Sequence, residues 1–495
     1  MVKKFAVVFF GLAVLSASAG KYGPSWESLA KHEAAPEWFQ DAKLGIYFHW
    51  GPYSVPAFGS AWYPGEMYRV GSWVNKHHTK TYGPIDEFGY EDFIPMFTAE
   101  HFDPAEWADL FKAAGARFAG PVAEHHDGFA MWASKVNPWN AGDMGPKRDV
   151  LGELFTELRK RDMKTIATFH HARNGQRNRD NLKDRERGFN SHYPYDPDLP
   201  TATTDPKLRM LFGNFETIEE FNQYWIDQLV EVIDGYSPDI IWFDSWMNMI
   251  PEKYRMEYAA YYFNHAEKTG QEVVTCHKHN DMPMSFSVLD FEQGGRREIH
   301  PMPWMTDITL GESRWSYVEG HKYKDAALVV RNMIDVWSKN GIVLLNVSPR
   351  ADGVINEQQR AVLKKIGEWL AVYGEAVYGT RPFDTYGTGT AKSKDSSHDG
   401  QSAKVQYTAE DIRFTVSKDD KTMYIFFLGR PEPGAEVKIK ALGRHRYAPH
   451  SAIRRVTLMG TDTEVKWDDD TYYLKFFLPE VEMDEIATVL RLELE

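Results

Sequence analysis

The feature that most constrains the fold is a unit that recurs between about Ala42 and Trp369. A short apolar run ends in a polar or ionisable residue, and a helix-like segment follows. Leu44–Phe48 ends in His49, and Arg117–Ala123 ends in Glu124, His125 and His126. Thr165–Phe169 ends in His170 and His171, Ile240–Phe243 in Asp244, and Val273–Cys276 in His277. Phe286–Leu289 leads to Asp290 and Glu292, and Ile342–Leu345 to Asn346. Near-continuous apolar strands are what a parallel sheet covered on both faces requires. Amphipathic stretches lie between them: Pro104–Ala114, with Asp103 as N-cap and Pro104 at the first helical position, Leu151–Arg161, and Ile218–Ile233. This alternation predicts a parallel α/β barrel or open sheet. In a barrel, polar residues at the C-terminal ends of strands face the active site. One or two of these ends are expected only to cap the next helix. We assign residues 24–385 to a (β/α)8-like barrel.

The texture changes near Gly379. Residues 387–403 are rich in Gly, Ser, Thr and Lys and read as a linker or long exposed loop. Short alternating segments follow, at Ile412–Val416, Met423–Phe427, Glu436–Ile439, Tyr472–Leu478 and Ala487–Leu492. That spacing predicts a small antiparallel β-sandwich over residues 386–495. It holds no catalytic cluster and reads as a structural or carbohydrate-contacting module.

Residues 1–19 carry the pattern of a secretory signal peptide: Lys3 and Lys4, an apolar run from Phe5 to Leu15, then Ala17-Ser18-Ala19. The run is too short to span a bilayer. A secreted or periplasmic protein without a membrane span is expected. The single cysteine, Cys276, excludes an intramolecular disulfide. A formal net charge of −14 argues against nucleic acid or anionic membrane as a partner.

Asp244 is the sharpest chemical candidate. A carboxylate fixed by rigid strand backbone at a barrel mouth suits a nucleophile that must reach an anomeric carbon along one line. An N-cap at a strand–helix junction would give the same local sequence. Adjacent strand residues point to opposite faces, so one member of each pair, His125-His126 and His170-His171, can turn inward. With His49, several imidazoles can converge. No HExxH, HxH or Cys/His metal spacing is present. We therefore expect donors to sugar hydroxyls, with no metal and no organic cofactor.

The chain resembles the α-L-fucosidases of glycoside hydrolase family 29. The resemblance rests on WFQDAKLGIYFHWGPYSVPA (38–57), WYPGEMY (62–68), FDPAEWADLFKAAGARF (102–118), HHDGFAMW (125–132), GPKRDVLGEL (145–154), PDIIWFDS (238–245), and LLNVSPRADGVI (344–355) leading to GEAVYGTRPF (374–383). It implies a retaining exo-hydrolase that removes terminal α-L-fucose from oligosaccharides or glycoconjugates, with Asp244 as nucleophile. The family's sugar-binding histidines fall on His49, His125 and His126, with a further contact at His170 or His171. Aromatic contacts are implied at Trp50, Trp62 and Trp315.

The resemblance leaves gaps. Where many relatives carry Trp-Glu, this chain has Trp304-Met305, and a thioether is no useful proton donor. Asp290-Phe291-Glu292-Gln293-Gly294 resembles a D-Y-E-R-G stretch of another branch, which makes Glu292 the candidate acid/base and Glu298 the next. Relatives usually read Ser-Glu-Trp-Tyr where this chain has Ser60-Ala61-Trp62-Tyr63, and Glu66 is close enough in sequence to substitute. Glu124 stands where relatives usually have Lys. A related sugar such as an α-L-galactoside, or a non-catalytic sugar-binding relative, stays open at this level.

Overall fold

The computed structural model describes residues 20–176, 191–393, 404–445, 453–461 and 463–495. The expected signal peptide, and residues 394–403 of the expected linker, lie outside these.

Eight parallel strands close into a barrel in sequence order. They are β1 (Leu44–Phe48), β2 (Phe118–Glu124), β3 (Lys164–Phe169), β4 (Ile240–Phe243), β5 (Val274–Lys278), β6 (Val288–Asp290), β7 (Trp304–Thr309) and β8 (Gly341–Val347). β8 pairs back onto β1, with Leu44 opposite Val343 and Phe48 opposite Val347. β7 is absent from the sequence reading. Its sequence, WMTDIT, interrupts the apolar run with Thr306 and Asp307, which the polar mouth of the barrel accommodates.

The expected helices form. Pro104–Ala113 is capped by Asp103, whose side chain accepts from the N–H groups of Ala105 and Glu106. Val150–Arg159 starts one residue earlier than expected because Asp149 caps it, accepting from the N–H of Gly152. Ile218–Tyr236 is capped by Thr217 and runs on to Ser237, which takes the left-handed conformation. No helix of the described residues is long and apolar enough to cross a membrane.

The barrel interior is filled by alternate residues: Tyr47, Phe118, Val122, Ile166, Ile240, Trp242, Val274, Cys276, Val288, Met305, Ile342 and Leu344. Phe39, from the helix Glu37–Ala42, packs with this group. At Gly120 of β2 a Cβ would stand 1.7 Å from the Ile166 carbonyl oxygen, so the two strands meet this closely only with glycine there.

Two antiparallel sheets follow. β9 (Thr380–Thr388), β10 (Ile412–Ser417), β11 (Thr422–Phe427), β12 (Glu436–Ile439), β13 (Ile453–Leu458), β14 (Thr463–Glu464), β15 (Lys466–Asp469), β16 (Leu474–Phe477) and β17 (Thr488–Leu494) are their strands. The larger sheet runs β14-β13-β17-β11-β10-β9 and the smaller β12-β16-β15. Phe414, Ile425, Phe427, Leu474, Phe476 and Leu490 fill their common core. β9 straddles the expected boundary at residue 385, pairing with β10. A buried ion pair joins the two parts: Asp335, on the helix Ala326–Trp337, meets Arg413 of β10 at 2.6 Å and Lys339 at 2.8 Å.

Candidate active site

Side chains in a strand alternate, so the row that fills the barrel interior continues past each strand end. Tyr47 is followed two residues on by His49, Trp242 by Asp244, Cys276 by Lys278, Met305 by Asp307 and Leu344 by Asn346. On β6 the row runs Val288, Asp290, Glu292. On β3 it runs Ile166, Thr168, His170. β2 departs from the rule. Its register against β3 shifts between Val122 and Glu124, and this irregularity turns His125 inward in place of Glu124. Glu124 instead accepts from Asn174 Nδ2 at 3.3 Å, fully buried away from the mouth.

These ends enclose a cavity of about 270 Å³. His49, His125, His126, His170, Asp244, Lys278, Glu292 and Asp307 line it with Ser60, Ala61, Trp62, Arg173, Ser245, Trp246 and Trp315. This is smaller than the ~300–1,000 Å³ of most small-molecule sites and suits one small ring.

Lys278 is its electrostatic centre. The ammonium is 3.2 Å from Asp244 Oδ1, 3.0 Å from Glu292 Oε2 and 3.4 Å from Asp307 Oδ2. Asp307 also accepts from the Tyr47 hydroxyl at 2.9 Å. Burial alone would raise the Asp244 carboxyl, but the Lys278 ammonium beside it holds it well below the usual range. Burial would lower Lys278, yet Asp307, Glu292, Asp244 and Asp290 hold it well above its usual value. Burial and repulsion from Asp307 push the Asp290 carboxyl well above the usual carboxylate range.

Burial keeps three of these imidazoles, those of His49, His125 and His126, neutral. Burial holds His126 at about 4, and burial with its histidine neighbours holds His49 and His125 well below the ordinary value. Asn346 sets the tautomer of His49. Its Nδ2 donates to Thr309 Oγ1 and to the Trp315 carbonyl, at 2.9 and 2.8 Å. Its Oδ1 must then accept from His49 N–H and Nδ1–H, at 3.0 and 2.8 Å. His49 Nε2 is left as an acceptor for a hydroxyl. His126 donates Nδ1–H to the His170 carbonyl at 2.9 Å, and its Nε2 stands 3.4 Å from Asp244 Oδ2. His170 Nδ1 is also 3.4 Å from that oxygen.

Two groups have spacing that would accept a metal ion: His49, His125 and His170, and His126, His170 and Asp244, with atoms within 4.8 Å of one another. The Lys278 ammonium already balances Asp244, which works against a divalent cation beside it.

Trp50 does not reach the cavity. It follows inward-facing His49 and so points outward, donating Nε1–H to the Arg350 carbonyl at 2.6 Å and packing on Phe97, Phe102 and Trp107. His171 likewise turns away, bonding the Trp225 carbonyl at 3.2 Å. Glu66 pairs with Arg69 at 3.3 Å and is not in the cavity wall, so it does not replace the carboxylate missing at Ala61. Glu298 is exposed and lies outside the cavity. Met305 belongs to the barrel interior. Lys278, Asp307 and Arg173 are cavity residues that the sequence reading did not single out. The alternation of His277 and Lys278, with Cys276 in the interior, is the signal that would have found Lys278.

Carboxyls held around one ammonium, in a small cavity walled by imidazoles and indole faces at a barrel mouth, define a glycoside hydrolase. The chain belongs to the α-L-fucosidase family: the family model "Alpha-L-fucosidase" matches residues 11–375, and "Alpha-L-fucosidase C-terminal domain" matches residues 405–493. It is 29% identical to tissue alpha-L-fucosidase of Rattus norvegicus over 490 residues, 94% of this chain and 91% of that protein. It is 30% identical to the tissue enzyme of Macaca fascicularis over 447 residues, 84% of this chain and 79% of that protein. Among solved structures it resembles Thermotoga maritima alpha-fucosidase in complex with fucose, with TM-score 0.74 and 29% identity, covering 95% of this chain and 100% of that one.

Proposed function

We propose that this protein is a retaining exo-hydrolase of terminal α-L-fucosides on oligosaccharides or glycoconjugates, with Asp244 as nucleophile and Glu292 as acid/base. One observation carries the assignment of the pair. Asp244 and Glu292 each lie within hydrogen-bonding distance of the same Lys278 nitrogen, at 3.2 and 3.0 Å. Their oxygens are thus closer than the ~6.5 Å at which inverting pairs begin, and a water cannot be accommodated between carboxyl and sugar.

In the first step an Asp244 oxygen bonds to the anomeric carbon as the glycosidic C–O bond breaks. Glu292 gives its proton to the leaving oxygen. Asp244 loses its charge as the ester forms, and Glu292 gains one. Lys278 sits between them, so the cluster's net charge is constant while the ammonium shifts its pairing from one to the other. In the second step Glu292 takes a proton from water, whose oxygen attacks the same carbon and releases Asp244. A transition state that keeps the local charge constant in a water-poor site needs little reorganisation. His49, His125, His126 and His170 serve the sugar hydroxyls, with Trp62 and Trp315 against its apolar surface. The small cavity supports action on a terminal residue. The pattern at residues 1–19 supports export, which the N-terminal sequence of the mature protein tests.

The test is hydrolysis of an aryl α-L-fucoside by wild type, Asp244→Ala and Glu292→Ala. Asp244→Ala should be inactive. Glu292→Ala should be slowed at deglycosylation and accelerated by azide, with a fucosyl azide of retained configuration as product. If wild type releases no fucose, the substrate assignment fails; if Glu292→Ala turns over natural oligosaccharides normally, the acid/base assignment fails.

A further inference from the structure

Arg173 is a cation that the reaction just described does not use. It follows β3 in the loop after His171, is 3% exposed, and lines the same cavity as Asp244. Its guanidinium packs on two indoles, 4.4 Å from the Trp62 ring centre and 4.9 Å from that of Trp246. Trp246 reaches it by adopting φ 79, a left-handed conformation that tryptophan rarely takes. The two rings hold the guanidinium by its π surface and leave its N–H edge for recognition. Nε and Nη2 have no hydrogen-bond partner, and no carboxylate among the described residues reaches the group at ion-pair distance. The carboxylate that acts on it electrostatically is Asp244, and a second cation, Arg69, repels it. Burial lowers Arg173 to about 10, so it stays charged at neutral pH.

A buried, unpaired, rigidly clamped guanidinium is costly unless a ligand pairs with it. Its charge grows less balanced during catalysis, because Asp244 is neutral as an ester. Ala61, next to Trp62 in the wall, leaves this side without a carboxylate. We infer that Arg173, clamped by Trp62 and Trp246, forms a subsite for a sulfate ester on the sugar held in the cavity. A sulfate monoester offers planar pairs of oxygens to the guanidinium edge. It carries a single charge at every working pH, whereas a phosphate ester would bring a second charge towards Asp244.

This inference rests on the fucosidase reading of the same cavity, and the experiment separates the two. The probes are L-fucose and its 2-O-, 3-O- and 4-O-monosulfates, as competitive inhibitors of aryl α-L-fucoside hydrolysis. One monosulfate should bind wild type roughly 10- to 100-fold more tightly than fucose, the effect of one charge-assisted hydrogen-bonding group. The ratio of that monosulfate to fucose should collapse towards one in Arg173→Met. It should also collapse in Ala61→Glu, which keeps Arg173 but supplies a carboxylate beside it. Arg173→Lys, which keeps the charge without the fork, should give an intermediate ratio. If wild type hydrolyses the aryl fucoside but no monosulfate outbinds fucose, or if the preference survives in Arg173→Met and Ala61→Glu, the subsite is refuted and the fucosidase reading stands. If wild type does not hydrolyse the aryl fucoside, both fall.

Discussion

Replacing Lys278 with methionine should move the acid limb of the pH–rate profile to higher pH. The ammonium is 1% exposed and 3.2 and 3.0 Å from Asp244 and Glu292. At an effective dielectric constant of ~20, each attraction is worth about 5 kcal/mol. Asp244 must be ionised to attack, and without the ammonium its carboxyl moves back up from its depressed position, so the acid limb of kcat/KM should move to higher pH. Removing one partner of a buried ion cluster also costs ~3–5 kcal/mol of stability, since Asp244, Glu292 and Asp307 then face one another. The assay is kcat/KM for an aryl α-L-fucoside across pH 4–9, with circular dichroism to confirm folding, and Lys278→Arg as the charge-retaining control. A folded Lys278→Met enzyme whose acid limb stays in place would refute the role of Lys278 in holding Asp244 ionised.

Three further outcomes are expected. Asn346→Ala strips His49 N–H, His49 Nδ1–H and the Trp315 carbonyl of their shared partner, at roughly 1–3 kcal/mol for each buried group. It should lower kcat/KM by about tenfold or more; an unchanged value would mean that the His49 tautomer is irrelevant. Trp50→Phe should cost about 0.5–1.5 kcal/mol in thermal unfolding by removing one of two donors to the Arg350 carbonyl, which keeps Gly353 N–H, yet leave KM unchanged, whereas Trp62→Phe should raise KM. Equal effects on KM would contradict the outward placement of Trp50. Finally, burial holds His126 at about 4 and His171 and His277 at about 3, all below the ~6.5 of the unfolded chain. Below pH 6.5 the unfolded chain then binds more protons, so stability falls, by about 2 kcal/mol per residue at pH 5. Asp127, pushed up to about 7 by burial, and Glu124, also pushed up by burial, act in the opposite sense but are outnumbered by buried imidazoles that include His49, His125 and His192. Urea midpoints at pH 7 and pH 5 decide; an equal or higher midpoint at pH 5 would overturn this.

Much of the barrel is legible because parallel strands are apolar on both faces and their helices carry Asp103, Asp149 and Thr217 as caps. His49, His170, Asp244 and Glu292 are legible for a related reason, since each extends an interior row by a step of two. The same rule excludes Trp50, which follows an inward residue directly. It mispredicts β2, because a register shift carries no sequence mark, and so Glu124 and His125 exchange faces. β7 escaped because Thr306 and Asp307 make it polar where the barrel mouth needs polarity. Lys278 escaped because the apolar run before it stops at Cys276, two residues short. Arg173 lies in a loop, where no periodicity says which side chain turns in. Its partners, Trp62 and Trp246, come from different strand ends and meet only in three dimensions.

The most direct test of the central claim is to trap the glycosyl-enzyme. In 2-deoxy-2-fluoro-L-fucosyl fluoride the C2 fluorine slows both steps by destabilising the oxocarbenium-like transition state, while the fluoride leaving group speeds the first, so the ester accumulates. Intact-mass and peptide mass spectrometry should show one fluorofucosyl group per chain, on the peptide containing Asp244, at Asp244. A label on Asp307 or Glu292, or an active enzyme that forms no adduct and releases fucose with inverted configuration, would contradict the account.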